Sequence, residues 1–156
     1  MQITASEDFK EFLKLLIENK VEYLIIGGYA VAFHSRPKFT NDLDIWVNNT
    51  KDNFNKLVKT LHDFGFSDIS DVNKDEFLQK SKVYRIGVPP RRLEVLNDID
   101  GVKFEEAYKN KIKGKYDDLE DVYYISLNDL IKNKQSTQRT KDKLDLDFLK
   151  EFGKDS

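Results

Sequence analysis

Apolar residues along the chain fall into short blocks of two kinds, one spaced for helices and one for buried strands. Phe9, Phe12, Leu13, Leu16 and Ile17 recur at helical spacing. Ser6 is placed to cap that helix, and Asn19 and Lys20 suit its end. VEYLIIGG follows, a β-branched apolar run that halts at a glycine pair and reads as a buried strand. YAVAFHS then returns to helical spacing at Ala30, Val31 and Phe33, and Pro37 stops it. DLDIWV is the second strand, and Leu57, Val58, Leu61 and Phe64 give an amphipathic helix with Gly65 where a C-cap belongs.

The second half is richer in strand patterns. VYRIGV and RLEVLN read as strands joined by a tight turn at PPR, and DIDGVKFEEAYKN as a turn leading to a short helix. DVYYISLNDLIKNK changes from strand to helix, with Ser126 as N-cap and Asp129 at the third helical position. In TKDKLDLDFLKEF, Leu144, Leu146, Phe148 and Leu149 predict a closing helix. Nothing in residues 1–156 reads as a repeat, a low-complexity stretch or a linker. The order predicts one α/β (α+β) domain over 1–156, with a mixed or largely antiparallel sheet flanked by helices.

Composition narrows the chemistry. With 26 basic and 28 acidic residues the net charge is −2, which argues against a non-specific nucleic-acid binder. There is no cysteine, so disulfides, thiolate metal sites and cysteine nucleophiles are excluded. MQITASEDFKEF lacks the basic and apolar regions of a signal peptide, and no apolar run approaches a membrane span. The expectation is a soluble, cytoplasmic protein without membrane contact.

The oddity is the pair of acids in NDLDIWV. Side chains alternate along a strand, so Asp42 and Asp44 share a face, about 7 Å apart, while Leu43, Ile45 and Val47 enter the core. Like charges this close raise each other's pKa unless a cation intervenes, and oxygen-only ligands favour Mg²⁺ or Mn²⁺. Alone, such a pair reads as readily as a turn or an N-cap. Gly27-Gly28 is a plain strand-to-helix turn or a phosphate cradle, since amides at a helix start hold anions and glycine lets the backbone approach. Glu94 is a third acid in an apolar strand, with Arg92 on its face as a salt-bridge partner. One arrangement accounts for all three features: the glycine turn holds the tail of a nucleoside triphosphate, and the acids hold metals bridging its phosphates.

Three blocks carry a resemblance: IIGGYAVAFHSRPKFTNDLDIWV, PPRRLEVLNDIDGVKFEEAY and VYYISLNDLIKNKQSTQRTKDKLDLDFL. In this order they resemble the polymerase-β-like nucleotidyltransferase superfamily, and more closely its compact prokaryotic members related to AbiEii-type proteins. The resemblance implies that Gly27 and Gly28 bind the triphosphate and that Asp42 and Asp44 ligate two Mg²⁺ ions. Glu94 would share one ion and help deprotonate the acceptor hydroxyl, and an NMP would move with release of pyrophosphate. Thr40 matches the relatives' Pro-Arg-x-Thr segment, where Lys38 stands for the arginine and keeps the charge without the bidentate fork. Gly28 stands where transferring enzymes often carry serine, and Glu94 where the third acid is usually aspartate.

Arg36, Lys38 and Lys141 are further candidates for phosphate contact, and Lys141 reads equally as the partner of Asp145 on a solvated helix. His34 reads as packed or bonded to the loop before the second strand, His62 as surface, and Trp46 as core in preference to base stacking. The expected partners are an NTP, an acceptor (tRNA end, protein or small molecule), and a homodimer mate or partner chain. The other readings are a nucleotide-binding module or toxin–antitoxin or phage-defence component without transfer, and an interaction domain that keeps only the fold.

Overall fold

A computed structural model describes residues 5–37, 39–66, 72–87, 91–137 and 139–153. Lys38 and residues 88–90, which include both prolines of the PPR turn, lie outside the described residues. The N-terminal apolar stripe forms α1 (Ala5–Glu18), with Ser6 inside the helix and not at a position before it. Phe9, Phe12, Leu13 and Leu16 are fully buried. β1 (Tyr23–Ile26) is buried at every position and runs without a loop into α2 (Gly27–His34). β2 (Leu43–Val47) and α3 (Lys51–Asp63) follow, with Thr50 capping α3 through Asn53 N–H. Gly65, at φ 96°, takes the left-handed position just beyond that helix.

The chain continues with α4 (Lys74–Gln79), β3 (Val83–Ile86), β4 (Leu93–Leu96) and α5 (Phe104–Lys109). It closes with β5 (Ile112–Tyr116), β6 (Leu119–Tyr124), α6 (Leu127–Gln135) and α7 (Thr140–Phe152). Ser126 caps α6 by accepting from Asp129 N–H, as predicted. The Asp129 carboxylate does not return that bond; it takes the Asn110 amide at 3.3 Å.

The strands form one mixed sheet in the order β3-β4-β2-β1-β6-β5. β1 and β2 are antiparallel, whereas β2 pairs β4 and β1 pairs β6 in parallel. Hairpin-like antiparallel pairs, β3 with β4 and β5 with β6, finish the two edges. Helices flank this sheet: α1 packs on α3, α3 on α4, and α2 on both α6 and α7. Burial at β2 is two-sided. Leu43, Ile45 and Val47 are fully buried, and Trp46 on the opposite face is equally buried, edge-on to Phe104 at 5.0 Å. Trp46 is therefore core. Among the described residues, no helix is long and apolar enough to cross a membrane.

Candidate active site

The parallel pairing of β2 with β4 decides where the acids meet. Asp44 lies directly across from Glu94, and the antiparallel pairing of β2 with β1 sets Ile26 on its other side. Two acids separated by 50 residues of sequence thus share one register position on adjacent strands. The charge of Glu94 therefore acts directly on Asp44. Burial, and then the charge of Glu94, push the Asp44 carboxyl up to about 7, while Lys141 opposes the shift and Asp42 adds to it. Asp44 Oδ1 is buried and has no hydrogen-bond partner among the described residues.

Gly27 follows β1 immediately, at φ 68°, and a Cβ there would collide with Asp44 Oδ2. Glycine is required twice over, by the left-handed backbone and by the carboxylate against it. Ile26, the N-cap of α2, offers no side-chain cap, so the amides opening this helix have no partner from that side chain. At Gly28 a Cβ would sit 2.5 Å from Thr40 Oγ1. The hydroxyl of Thr40 thus fills the space that a side chain at position 28 would need. Among the described residues, the Thr40 hydroxyl makes a long bond, 3.4 Å, to the Asp42 carbonyl.

Asp42 is held differently from Asp44. Its Oδ1 accepts the Arg92 backbone N–H at 3.0 Å, and its Oδ2 lies 3.8 Å from the Arg92 guanidinium. The same Arg92 Nη2 is 3.4 Å from Glu94 Oε1, which also receives Arg85 Nε at 3.3 Å. Arg92 therefore bridges two of the three acids, and the salt bridge foreseen for Glu94 is present.

The three acids line a cavity of about 740 Å³, within the range of small-molecule sites. Gly27, Gly28, Thr40, Asp42, Asp44, Glu94 and Lys141 all reach it. Arg36 is not among its lining residues: its guanidinium lies 3.6 Å over the ring of Phe152. Lys38 lies outside the described residues. His34 is buried and packed, as expected, and bonds the Ile125 carbonyl at 2.6 Å, and His62 is exposed, as expected.

The cavity also has a wall built on Lys134, which the sequence did not single out. Lys134 on α6 is buried between Asp142, at 2.8 Å, and Asp145, at 3.3 Å, on α7. Asp142 further accepts from Thr137 at 2.7 Å and from Arg139 Nε at 2.8 Å. Burial alone would raise the Asp142 carboxyl, but the bonds from Lys134, Thr137 and Arg139 hold it down at about 2. Asp145 thus pairs with Lys134 across two helices, a partner that i,i+4 spacing from Lys141 does not reveal. Arg85 was equally invisible, because its partner Glu94 is defined only by the β3–β4 register.

The donor set suits a hard divalent cation: carboxylate oxygens only, one of them buried and orphaned, with mutual repulsion that a cation would relieve. Among the described residues, however, no three acid or histidine side chains are grouped as a metal site, and Arg92 draws Asp42 and Glu94 toward itself.

No family model matches the sequence, and no curated protein sequence is detectably similar to it. The fold does have a match among solved structures. It is similar to the crystal structure of the lincosamide antibiotic adenylyltransferase LnuA bound to lincomycin, with a TM-score of 0.55 and 16% identity. The match covers 96% of this chain and 98% of that one. The architecture is thus a nucleotidyltransferase fold with a mixed sheet flanked by helices.

Proposed function

We propose that this protein transfers a nucleoside monophosphate from an NTP to a hydroxyl acceptor and releases pyrophosphate. The observation that supports this best is the placement of Asp44 directly across from Glu94 on paired strands, with the Gly27 turn packed on Asp44. An acid pair and a turn of uncapped helix amides meet at one point, which is where charged phosphates and their counter-ions have to be handled together.

Asp42, Asp44 and Glu94 would hold Mg²⁺ or Mn²⁺, whose charge when bound activates an attacking oxygen and neutralises phosphate oxygens. The chain's own groups do the rest. Backbone amides at Gly27 and Gly28 donate to the triphosphate, and the Thr40 hydroxyl beside them adds a side-chain donor. Lys141 faces the same cavity and balances the negative charge of the leaving pyrophosphate. Glu94 accepts the proton of the acceptor hydroxyl as its oxygen bonds to the α-phosphorus and the bond to the β-phosphate oxygen breaks. Lys38 is assigned to phosphate contact by its motif position. Arg36 is assigned there by its place in the sequence just before the DxD strand, although its guanidinium stacks on Phe152.

The acceptor belongs to one of three classes: a small molecule, an RNA end such as that of tRNA, or a protein hydroxyl. The lincosamide acceptor of LnuA makes a small hydroxylated molecule the first to test. An RNA or protein acceptor needs more surface than this cavity, which a homodimer mate or a partner protein would supply, as in an AbiEii-like toxin–antitoxin or phage-defence setting in the cytoplasm.

A second reading has its own support. Arg92 and Arg85 already neutralise Glu94, and Arg92 also holds Asp42, as befits a module that binds nucleotide without transferring it. Incubation with each α-labelled NTP and Mg²⁺, beside Asp42→Ala, separates the two. Label moved to a small molecule, RNA or protein by the wild type and not by the variant is the expected result. NTP binding with no label moved to any acceptor would leave only the binding module.

A further inference from the structure

Among the described residues, the cavity carries a single aromatic ring, Phe39, and that ring is 78% exposed. The remaining described aromatic side chains are buried, packed against the core or, for Phe152, covered by Phe148 and the Arg36 guanidinium, so an uncovered phenyl at the rim of a polar cavity is out of keeping with the rest of the molecule. The chain on either side of it is anchored. Arg36 is stacked on Phe152 of α7, Thr40 is lodged against Gly28, and Asp42 accepts from Arg92 N–H. Phe39 is therefore held one residue, about 3.8 Å along the backbone, from the hydroxyl that touches the glycine turn.

We infer that Phe39 is the stacking platform for the nucleobase of the bound NTP. The inference rests on the nucleotide reading above and adds a group that recognises the other end of the same substrate. A triphosphate seated on the Gly27–Gly28 amides projects its nucleoside toward the cavity rim, where the ring offers an apolar, flat face. Among the described residues, the other apolar side chains lining the cavity, Ile26, Leu96 and Ile99, are aliphatic and offer no such face. Stacking tolerates every base because every base has a π-face. Phe39 would therefore confer affinity for the nucleoside with a preference for larger purines, and little discrimination by hydrogen bonding.

The test compares ATP with inorganic tripolyphosphate, which has the phosphates and no base. Binding of each is measured with Mn²⁺ by calorimetry for the wild type, Phe39→Ala and Phe39→Trp. The expected result is a loss of about tenfold or more in ATP affinity for Phe39→Ala, with tripolyphosphate affinity unchanged. Trp46 is the chain's one tryptophan and is buried, so Phe39→Trp adds an exposed fluorophore that ATP quenches and tripolyphosphate does not. ATP affinity equal to wild type in Phe39→Ala overturns the assignment, and the ring then serves the acceptor or another chain. An equal loss for both ligands also overturns it, since it makes Phe39 a support of the loop. If the wild type binds neither ligand, the nucleotide reading itself fails and takes the stacking role with it.

Discussion

A carboxyl group placed where it cannot easily ionise has a measurable effect on the metal-free protein. Asp44 is pushed from its ordinary 3.8 to about 7 by burial and by the Glu94 charge. The folded chain then binds the Asp44 proton more tightly than the unfolded chain does between pH ~4 and ~7. The resulting stability is fully present below pH ~4 and lost as the pH rises through ~7. A shift of this size sets a ceiling of about 4 kcal/mol. Melting in EDTA should accordingly show the wild type losing several degrees between pH 5 and pH 8, and Asp44→Asn losing clearly less. At pH 8 Asp44→Asn should melt above the wild type. Parallel pH profiles for the two proteins would show that Asp44 carries no such strain.

At the scale of elements, α6 and α7 are joined by charge where most helix pairs are joined by apolar contact. Lys134 is 6% exposed and Asp142 1%, so neither reaches water to compensate for a lost partner. The pair orders the start of α7, the turn that carries Arg139 and Lys141 to the cavity. Removing one member of a buried pair typically costs about 3–5 kcal/mol, because the other charge is left unpaired. Lys134→Met should therefore destabilise the protein by about 3 kcal/mol in urea unfolding. Adding Asp142→Asn and Asp145→Asn to it should restore part of that loss. Asp142 also gives the wild type an acid limb: its lowered pKa contributes stability above pH ~4 that disappears as the pH falls through ~2. A triple variant no more stable than Lys134→Met would mean that the acids are held chiefly by contacts other than Lys134.

For the whole molecule, the sequence was most informative where apolar spacing is strong. The stripe of α1, the all-apolar β1, and the alternation in β2 and β4 all follow from periodicity, and they carry Gly27, Gly28, Asp42, Asp44 and Glu94 to one cavity. Elements with little apolar content were missed. In β5, IKGKY presents lysines between its inner residues, and Gly114 gives no apolar signal because Phe33 occupies the space a Cβ would need. In α4, KDEFLQ buries Phe77 alone. The ion partners were hidden for another reason: strand register and helix pairing create them, and sequence distance says nothing about either. That is how Arg92 was legible beside Glu94, two residues away, but not as a bridge to Asp42, 50 residues away.

That bridge makes a last prediction about how the fold prepares the site. With a net charge of only −2 for the chain, three acids at the end of two strands would repel strongly, and Arg92 neutralises two of them before any cation arrives. Arg92 and a divalent cation therefore compete for the same oxygens. Arg92→Ala keeps the backbone N–H that bonds Asp42 and removes only the guanidinium. Each partly exposed pair is worth up to about 1 kcal/mol, so Mn²⁺ affinity of the nucleotide-free protein should rise roughly two- to tenfold in Arg92→Ala. The gain should vanish when Asp42→Ala is added, because the freed ligand is then missing. Calorimetric titration with Mn²⁺ reads both effects directly. Unchanged or weaker Mn²⁺ binding in Arg92→Ala would show that the arginine organises the acids for the cation instead of holding them from it.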